Sequence, residues 1–183
     1  MSLPLRTLRP PTTDGELAAR AAAGATDALA ELYHRYAPRL GLLAGRLLGS
    51  SPDAEDVVQD LFVGLPEALG RYRDDGKLEA WLRRIAVNLA LKKLRGARRR
   101  REDPLPEDLS TSEAPGKVDR IQVQRAVNTL PDRLRTVVIL KLVEGYSHHE
   151  IGELLGITRG ASEVRLSRAL NRLRQELGDE KVS

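Results

Sequence analysis

Apolar residues recur three and four positions apart over most of the chain, which is the spacing of one buried face on an α-helix. No segment shows the alternation that a half-buried strand requires. Pro38 lies inside the second helix and is expected to bend or break it, and Ser51 is a plausible N-cap for the third. The pattern in the first half predicts four helices, at 14–23, at 26–49, within the segment 50–70 and at 78–96.

The helical pattern stops after residue 101 and resumes at 118. The intervening composition is that of a linker, since residues 102–119 hold six acids, three prolines and one lysine without helical periodicity. We therefore expect an all-α protein of two small helical domains joined by a flexible acidic linker. The second half is predicted to form four more helices, at 118–129, 132–144, 147–155 and 159–176.

The composition favours this fold and removes several kinds of chemistry. The 183 residues are 41% hydrophobic and 31% charged but only 3% aromatic, so Leu, Ala, Val and Ile must form the core. The chain has no cysteine, which excludes disulfides, cysteine-ligated zinc and thiol catalysis. The N-terminal residues do not form a secretory signal and no apolar run would span a membrane. We expect a soluble cytoplasmic protein that has no cofactor or bound metal and no enzymatic activity.

The segment at 146–177, "YSHHEIGELLGITRGASEVRLSRALNRLRQEL", predicts a helix-turn-helix. Ser147 and Glu150 fit a capping box, and Gly156 supplies a left-handed turn. Thr158 can cap a second helix whose outer face is rich in arginine. This order of features is typical of a helix placed in the major groove of DNA, although a helical hairpin with a solvated basic face is the alternative.

The segment at 81–101, "WLRRIAVNLALKKLRGARRRR", carries nine Lys or Arg residues and no acid. Arg84, Asn88 and Lys92 are four apart and share one helical face, with a row of Leu and Ile residues on another. Asn can hydrogen-bond base edges while Lys and Arg hold phosphates. Trp81 is either a core residue or a platform on which an unpaired base stacks.

Acidic residues cluster at the start of the third helix, and they admit three interpretations. They can dock a partner protein, cap the helix electrostatically or hold Mg²⁺. No His, Lys or nucleophile is placed to complete a reaction, so docking is the most economical interpretation. The cluster comprises Asp53, Glu55, Asp56 and Asp60, together with Gln59.

Three segments in order, "DAEDVVQDLF", "WLRRIAVNLALKKLR" and "LPDRLRTVVILKLVEGYSHHEIGELLGITRG", resemble an extracytoplasmic function (ECF) sigma factor of the sigma-70 family. The resemblance covers roughly residues 14–176. It implies a sigma factor that binds core RNA polymerase and directs promoter-specific initiation by reading the −10 and −35 elements. Its domains would be a tail at 1–13, region 2 at 14–101, the linker at 102–117, region 4 at 118–178 and a tail at 179–183.

The resemblance also implies residue roles and partners. The expected partners are the β′ clamp helices and β flap of core polymerase, single-stranded and duplex promoter DNA, and an anti-sigma factor, but no membrane. The segment "RYRDDGK" would pocket a flipped base. Core polymerase would contact Asp53, Glu55, Asp56, Gln59 and Asp60; the −10 element Trp81, Arg83, Arg84, Asn88, Lys92, Lys93 and Arg95; and the −35 element Thr158, Arg159, Ser162, Val164, Arg165, Arg168 and Arg172.

The recognition helix departs from the pattern of the family, since the usual G-T-V-K-S-R is "GASEVR" at 160–165. Ser162 replaces a buried Val, Glu163 stands where Lys is common, and Val164 moves toward DNA, where it is expected to touch a thymine methyl. The acidic linker, with net charge −5 over 102–119, is expected to mimic nucleic acid in a basic channel. Two other classes are a free duplex-binding regulator and a metal-dependent nuclease. Neither explains both an acidic docking helix and two basic ones.

Overall fold

The computed structural model of the protein describes residues 12–73, 76–100 and 120–179, and every regular element in these ranges is helical. The prediction of an all-α protein is confirmed. The expected linker at 102–117 lies outside the described residues. The helices are α1 (Asp14–Ala22), α2 (Thr26–Leu48), α3 (Ser51–Leu69), α4 (Leu78–Arg100), α5 (Arg120–Thr129), α6 (Asp132–Val138), α7 (His148–Leu155) and α8 (Arg159–Asp179).

The first unit is built around α2, which packs against α1, α3 and α4. Its centre consists of leucines that the helical periodicity brings onto one side, among them Leu32, Leu40 and Leu47 of α2, all at most 1% exposed. Each buried leucine contributes roughly 1.5–3 kcal/mol relative to an exposed one. This core fixes the faces that α3 and α4 turn outward.

Pro38 does not break α2, which continues from Thr26 to Leu48. A proline inside a helix removes one backbone hydrogen bond and costs about 3 kcal/mol. The packing of α2 against three neighbouring helices offsets that loss. Of the two expected effects of Pro38, the break does not occur, and the bend stays a prediction.

The cap of α3 lies one residue earlier than the sequence suggests. Ser50, rather than Ser51, has extended backbone angles, and its side chain accepts a hydrogen bond from the Asp53 backbone N–H at 3.4 Å. Ser51 is the first helical residue and Pro52 the second, where a missing N–H costs nothing.

The second unit consists of α5 to α8, with α8 packed against α5, α6 and α7. The helix expected at 132–144 divides in two: α6 ends at Val138, and a π-helical turn follows at Ile139–Val143. The Glu144 backbone N–H donates to the Ile139 carbonyl at 3.0 Å, five residues back. This wider turn leaves Leu142 57% exposed and directs Glu144 inward, with only 4% of its side chain exposed.

The two units also contact one another, because α6 packs on α2. Arg135 of α6 is 5% exposed and reaches the carboxyl end of α2 in the first unit. The sequence predicted two tethered domains and gave no indication of this contact.

Candidate protein- and nucleic-acid-binding surfaces

The predicted docking face lies on α3, and its five side chains are all at least partly exposed. Glu55 and Gln59 are four residues apart and line a groove of about 860 Å³ between α2 and α3, which Gln124 and Asn128 of α5 also line. Tyr33 and Leu42 of α2 are exposed along the same groove, with Leu42 63% exposed. Exposed apolar residues rimmed by polar ones are typical of a protein-binding surface.

Lys93 of α4 lies against the same acidic helix. Its ammonium is 3.0 Å from Asp53 and 2.5 Å from Asp56. The hydrogen bond that Lys93 donates to Asp56, followed by the one that it donates to Asp53, raises the pKa of Lys93. The structure thus places Lys93 on the acidic flank of the first unit, and its predicted contact with DNA phosphate stays a prediction.

The outer face of α4 presents the polar row that the sequence predicts. Arg84, Asn88, Lys92 and Arg95 are all exposed. On the opposite side Leu82, Ala86 and Val87 are completely buried. Core packing therefore fixes the rotation of α4 about its axis. As a result, the Asn88 amide lies between Arg84 on one side and Lys92 and Arg95 on the other.

Two inward residues of α4 differ slightly from the expected arrangement. Ile85 and Leu89, predicted to lie on the buried face, are only half-buried, because the small Ala86 and Ala90 make the closest approach to the core. Trp81 is also half-buried, and its ring lies 4.9 Å from that of Tyr72, centroid to centroid. A ring at the margin of the core suits both packing and stacking, so its role in base stacking stays a prediction.

Arg83 forms an ion pair with the second unit, while 38% of its side chain stays exposed. Its Nε donates to Glu144 Oε2 at 2.9 Å, and its Nη2 contacts the same oxygen. Its predicted binding to DNA phosphate would need this ion pair to open.

The helix-turn-helix forms as its local sequence predicts. Ser147 accepts a hydrogen bond from the Glu150 backbone N–H at 3.2 Å, while the Glu150 carboxylate accepts from the Ser147 backbone N–H at 2.7 Å. Gly156 ends α7 with φ +65°, a left-handed angle that favours glycine. The turn is tight, because a Cβ on Gly152 would lie 2.7 Å from the Ile157 carbonyl oxygen.

The outer face of α8 carries most of the residues predicted to read duplex DNA. The Thr158 hydroxyl accepts from the Ala161 backbone N–H at 3.1 Å, which caps the helix. Val164 is 50% exposed, Arg168 and Arg172 are exposed, and Arg165 is half-buried. These side chains lie on the face of α8 that could enter the major groove of DNA.

Two residues of this set have partners inside the protein. Arg159 donates to Glu163 at 2.8 Å, and this hydrogen bond lowers the pKa of Glu163. Ser162 is completely buried, with its hydroxyl 2.9 Å from His148 Nδ1. In this conformation Ser162 links α7 to α8 and does not face solvent, so a DNA contact by its side chain would need a rearrangement.

Sequence reasoning missed Arg135 and Glu144. One feature of the sequence could have indicated Arg135: it interrupts the apolar run "LRTVVIL", whose neighbouring residues are buried. No such feature points to Glu144, since it precedes a glycine in what reads as an ordinary polar turn. Within the described ranges, no helix has the length and apolarity of a membrane span, and no cluster of three or more His, Asp or Glu side chains suits a metal ion.

Comparison with known families assigns both units. The model of Sigma-70 region 2 matches residues 32–100, and the model of Sigma-70 region 4 matches residues 120–173. The chain therefore belongs to the sigma-70 family, whose members are non-catalytic transcription initiation factors. It is similar to named ECF sigma factors along most of its length, and it is a sigma factor of this type, which directs promoter-specific transcription.

Individual relatives support the same assignment. The ECF RNA polymerase sigma factor SigM of Mycobacterium tuberculosis is 34% identical, over 91% of this chain and 85% of its own length. The sigma factor CarQ of Myxococcus xanthus is 36% identical, over 85% and 92%. Among solved structures, the sigma factor RpoE of Bartonella quintana, in complex with the anti-sigma factor NepR, gives a TM-score of 0.57 at 27% identity, covering 81% of this chain and 95% of its own.

Proposed function

We propose that the three surfaces divide the work of promoter recognition. The acidic face of α3 and the adjoining groove bind core polymerase, α4 reads the −10 element on the single strand, and α8 reads the −35 element in the duplex. The division follows the domain boundaries predicted above, with residues 14–101 serving the first two tasks and 118–178 the third. The protein would act in the cytoplasm, where the polymerase acts.

The exposed face of α4 is the observation that carries the proposal. Arg84, Lys92 and Arg95 can neutralise phosphates, while Asn88 between them offers both a donor and an acceptor to a base. A solvated face without a ligand would hold these like charges together at a cost. A melted strand supplies the neutralising phosphates and exposes the base edges together.

The groove between α2 and α3 supports the polymerase contact. It joins the Glu55 carboxylate to the exposed apolar side chains of Tyr33 and Leu42, and the other acids of α3 lie beside it. That combination suits a protein partner with basic residues around an apolar centre. An anti-sigma factor would compete for such a surface. Solved relatives of this chain include sigma factors bound to anti-sigma factors, so we extend that kind of partner to this protein.

The test is reconstitution with sigma-free bacterial core polymerase, followed by sequencing of transcript starts on a promoter library. The expected result is a set of starts preceded by common −10 and −35 sequences, present only when the protein is added. Asn88→Ala should keep its affinity for the core but lose promoter opening, measured by permanganate reactivity of unpaired thymines. Starts that do not depend on the protein would refute the proposal.

A further inference from the structure

We propose that Glu163 of α8 determines part of the −35 specificity by accepting a hydrogen bond from the N4 amino group of a cytosine in the major groove. This inference rests on the role in reading duplex DNA that is proposed above for α8. It adds to that role a residue outside the predicted set of DNA contacts, and it assigns one base to one position of the −35 element.

The first observation is the location of Glu163, beside Val164 near the amino-terminal end of α8. Its side chain is 45% exposed. The same face is open one turn earlier, because a Cβ on Gly160 would meet nothing within 4 Å. In a helix-turn-helix, the amino-terminal residues of the second helix contact the base edges. Glu163 therefore lies where a side chain of α8 could reach a base.

The opposite side of α8 fixes the rotation of the helix about its axis. Ser162 and Ala169 are both completely buried, and the Ser162 hydroxyl lies 2.9 Å from His148 Nδ1 of α7. Successive residues of a helix are turned by about 100°. The burial of Ser162 therefore turns Glu163 and Val164 out of the core.

Helix stability does not account for the ion pair between Arg159 and Glu163. Arg159 is the first residue of α8, at the end where the helix dipole disfavours a cation. An arginine four residues before a glutamate is also the less favourable order for such a pair. The two side chains are 74% and 45% exposed, and an exposed pair contributes little to stability. What the pair does is offset the negative charge of Glu163.

This offset makes Glu163 an acceptor that can approach DNA. The hydrogen bond from Arg159 lowers the pKa of Glu163, so the side chain is ionised at neutral pH and only accepts hydrogen bonds. A guanidinium has five N–H donors, and Glu163 takes the one on Nε of Arg159, at 2.8 Å. Arg159 can thus bind a phosphate while it neutralises the neighbouring carboxylate.

The donor and acceptor pattern of the major groove then selects the base. Guanine and thymine present only acceptors there, adenine presents its N6 donor beside the N7 acceptor, and cytosine presents its N4 donor alone. A carboxylate should therefore favour cytosine, tolerate adenine and exclude guanine and thymine. Because Val164 follows Glu163 directly, we expect this cytosine on a base pair next to the thymine that Val164 is predicted to contact.

The test is transcription by core polymerase and the protein from a promoter library randomised over the −35 element. The unmodified protein should prefer cytosine to guanine at one position by roughly fivefold or more. Glu163→Lys should reverse that preference, since lysine donates to O6 and N7 of guanine. Glu163→Gln should shift it towards adenine, whose N6 and N7 pair with an amide.

Glu153→Lys is the matched control, because it reverses the same charge on an exposed side chain of α7. It can change the total yield of transcripts but should leave the base preference at every position unchanged. Circular dichroism of each variant confirms that helix content is retained.

A second measurement needs no polymerase. The full chain is used to select duplexes from a random pool at low salt, where phosphate contacts are strong, and the same three variants are compared. Transcript starts that do not depend on the protein would refute the proposed function, while the selected duplexes would still report on Glu163. The inference is overturned if neither assay gives a cytosine preference that the Glu163 substitutions change beyond the effect of Glu153→Lys.

Discussion

Val164 is a small apolar side chain on the outer face of the recognition helix, 50% exposed, with Arg165 and Arg168 close to it along the helix. An aliphatic group there can contact the methyl of a thymine but cannot hydrogen-bond a base edge. We expect Val164→Ser to weaken the preference for thymine at one position of the −35 element by on the order of 1 kcal/mol, about fivefold. The measurement is a transcription assay in which each base of the element is varied in turn.

The control for this substitution is Ser167→Ala, an exposed position on the same helix outside the predicted set of DNA contacts. It should leave the base preferences unchanged. A scan in which Val164→Ser alters no position would remove the methyl contact, although α8 could still bind DNA through its arginines.

Substitution of Asp56 tests whether the acidic face of α3 binds core polymerase. Its carboxylate is 61% exposed and pairs with Lys93, and an exposed pair of this kind contributes at most about 1 kcal/mol to stability. Asp56→Lys should therefore leave the fold intact while weakening association with core polymerase by tenfold or more, measured by titration of labelled protein with the core.

Glu67→Lys is the matched control, since Glu67 is an exposed acid of α3 outside the predicted docking set and pairs with Arg71. Equal loss of affinity in both variants would mean that overall charge, rather than the acidic face around Asp56, governs the association.

At the scale of elements, the helix-turn-helix depends on one close approach of backbone to backbone. A Cβ on Gly152 would lie 2.7 Å from the Ile157 carbonyl oxygen, closer than these atoms can pack without movement of the turn. We expect Gly152→Ala to lower the free energy of unfolding by roughly 1–3 kcal/mol despite the better helix propensity of alanine. Urea denaturation followed by circular dichroism provides the measurement.

Gly160 gives the comparison, because a Cβ there meets nothing within 4 Å. Gly160→Ala should leave stability unchanged or raise it by up to about 1 kcal/mol through the reduced entropy of the unfolded chain. If the two alanine variants were equally stable, close packing in the turn would not be the reason for glycine at 152.

Elements whose signals are local could be predicted from the sequence. The capping box of Ser147 and Glu150 and the left-handed Gly156 depend on residues within one turn, and the structure has them as expected. The α3 cap was placed one residue late, because Ser50 and Ser51 offer the same side chain and only the backbone distinguishes them. Whether Pro38 breaks α2 or leaves it continuous could not be decided from the sequence, because packing against three neighbouring helices, rather than local propensity, decides whether α2 continues.

Contacts between the units could not be predicted in this way. Arg83 and Glu144 are 61 positions apart, and Arg135 lies 88 positions from the carbonyl of Leu47. Neither pair shares a helical face, a repeat or a motif. The row of Arg84, Asn88 and Lys92 was visible from its spacing, but the partner that holds Arg83 depends on the tertiary arrangement.

At the scale of the whole molecule, the protein has two cationic helices that we propose to read DNA, α4 and α8, and one acidic helix, α3, that we propose to dock on polymerase. Arg83 of α4 pairs with Glu144 of the second unit, while the groove beside α3, which Gln124 and Asn128 of α5 also line, leaves Leu42 exposed.

The acidic segment between the two units is expected to contribute charge rather than a particular sequence. Residues 102–119 carry a net charge of −5, which can occupy a basic channel built for nucleic acid. Replacing the six acids of this segment by Gln and Ser should reduce single-round transcript yield severalfold at saturating protein. A variant with the same residues in shuffled order keeps the charge and should retain the yield. Equal yield from the neutral variant would show that the segment acts only as a tether, whereas loss in the shuffled variant would mean that specific side chains are recognised.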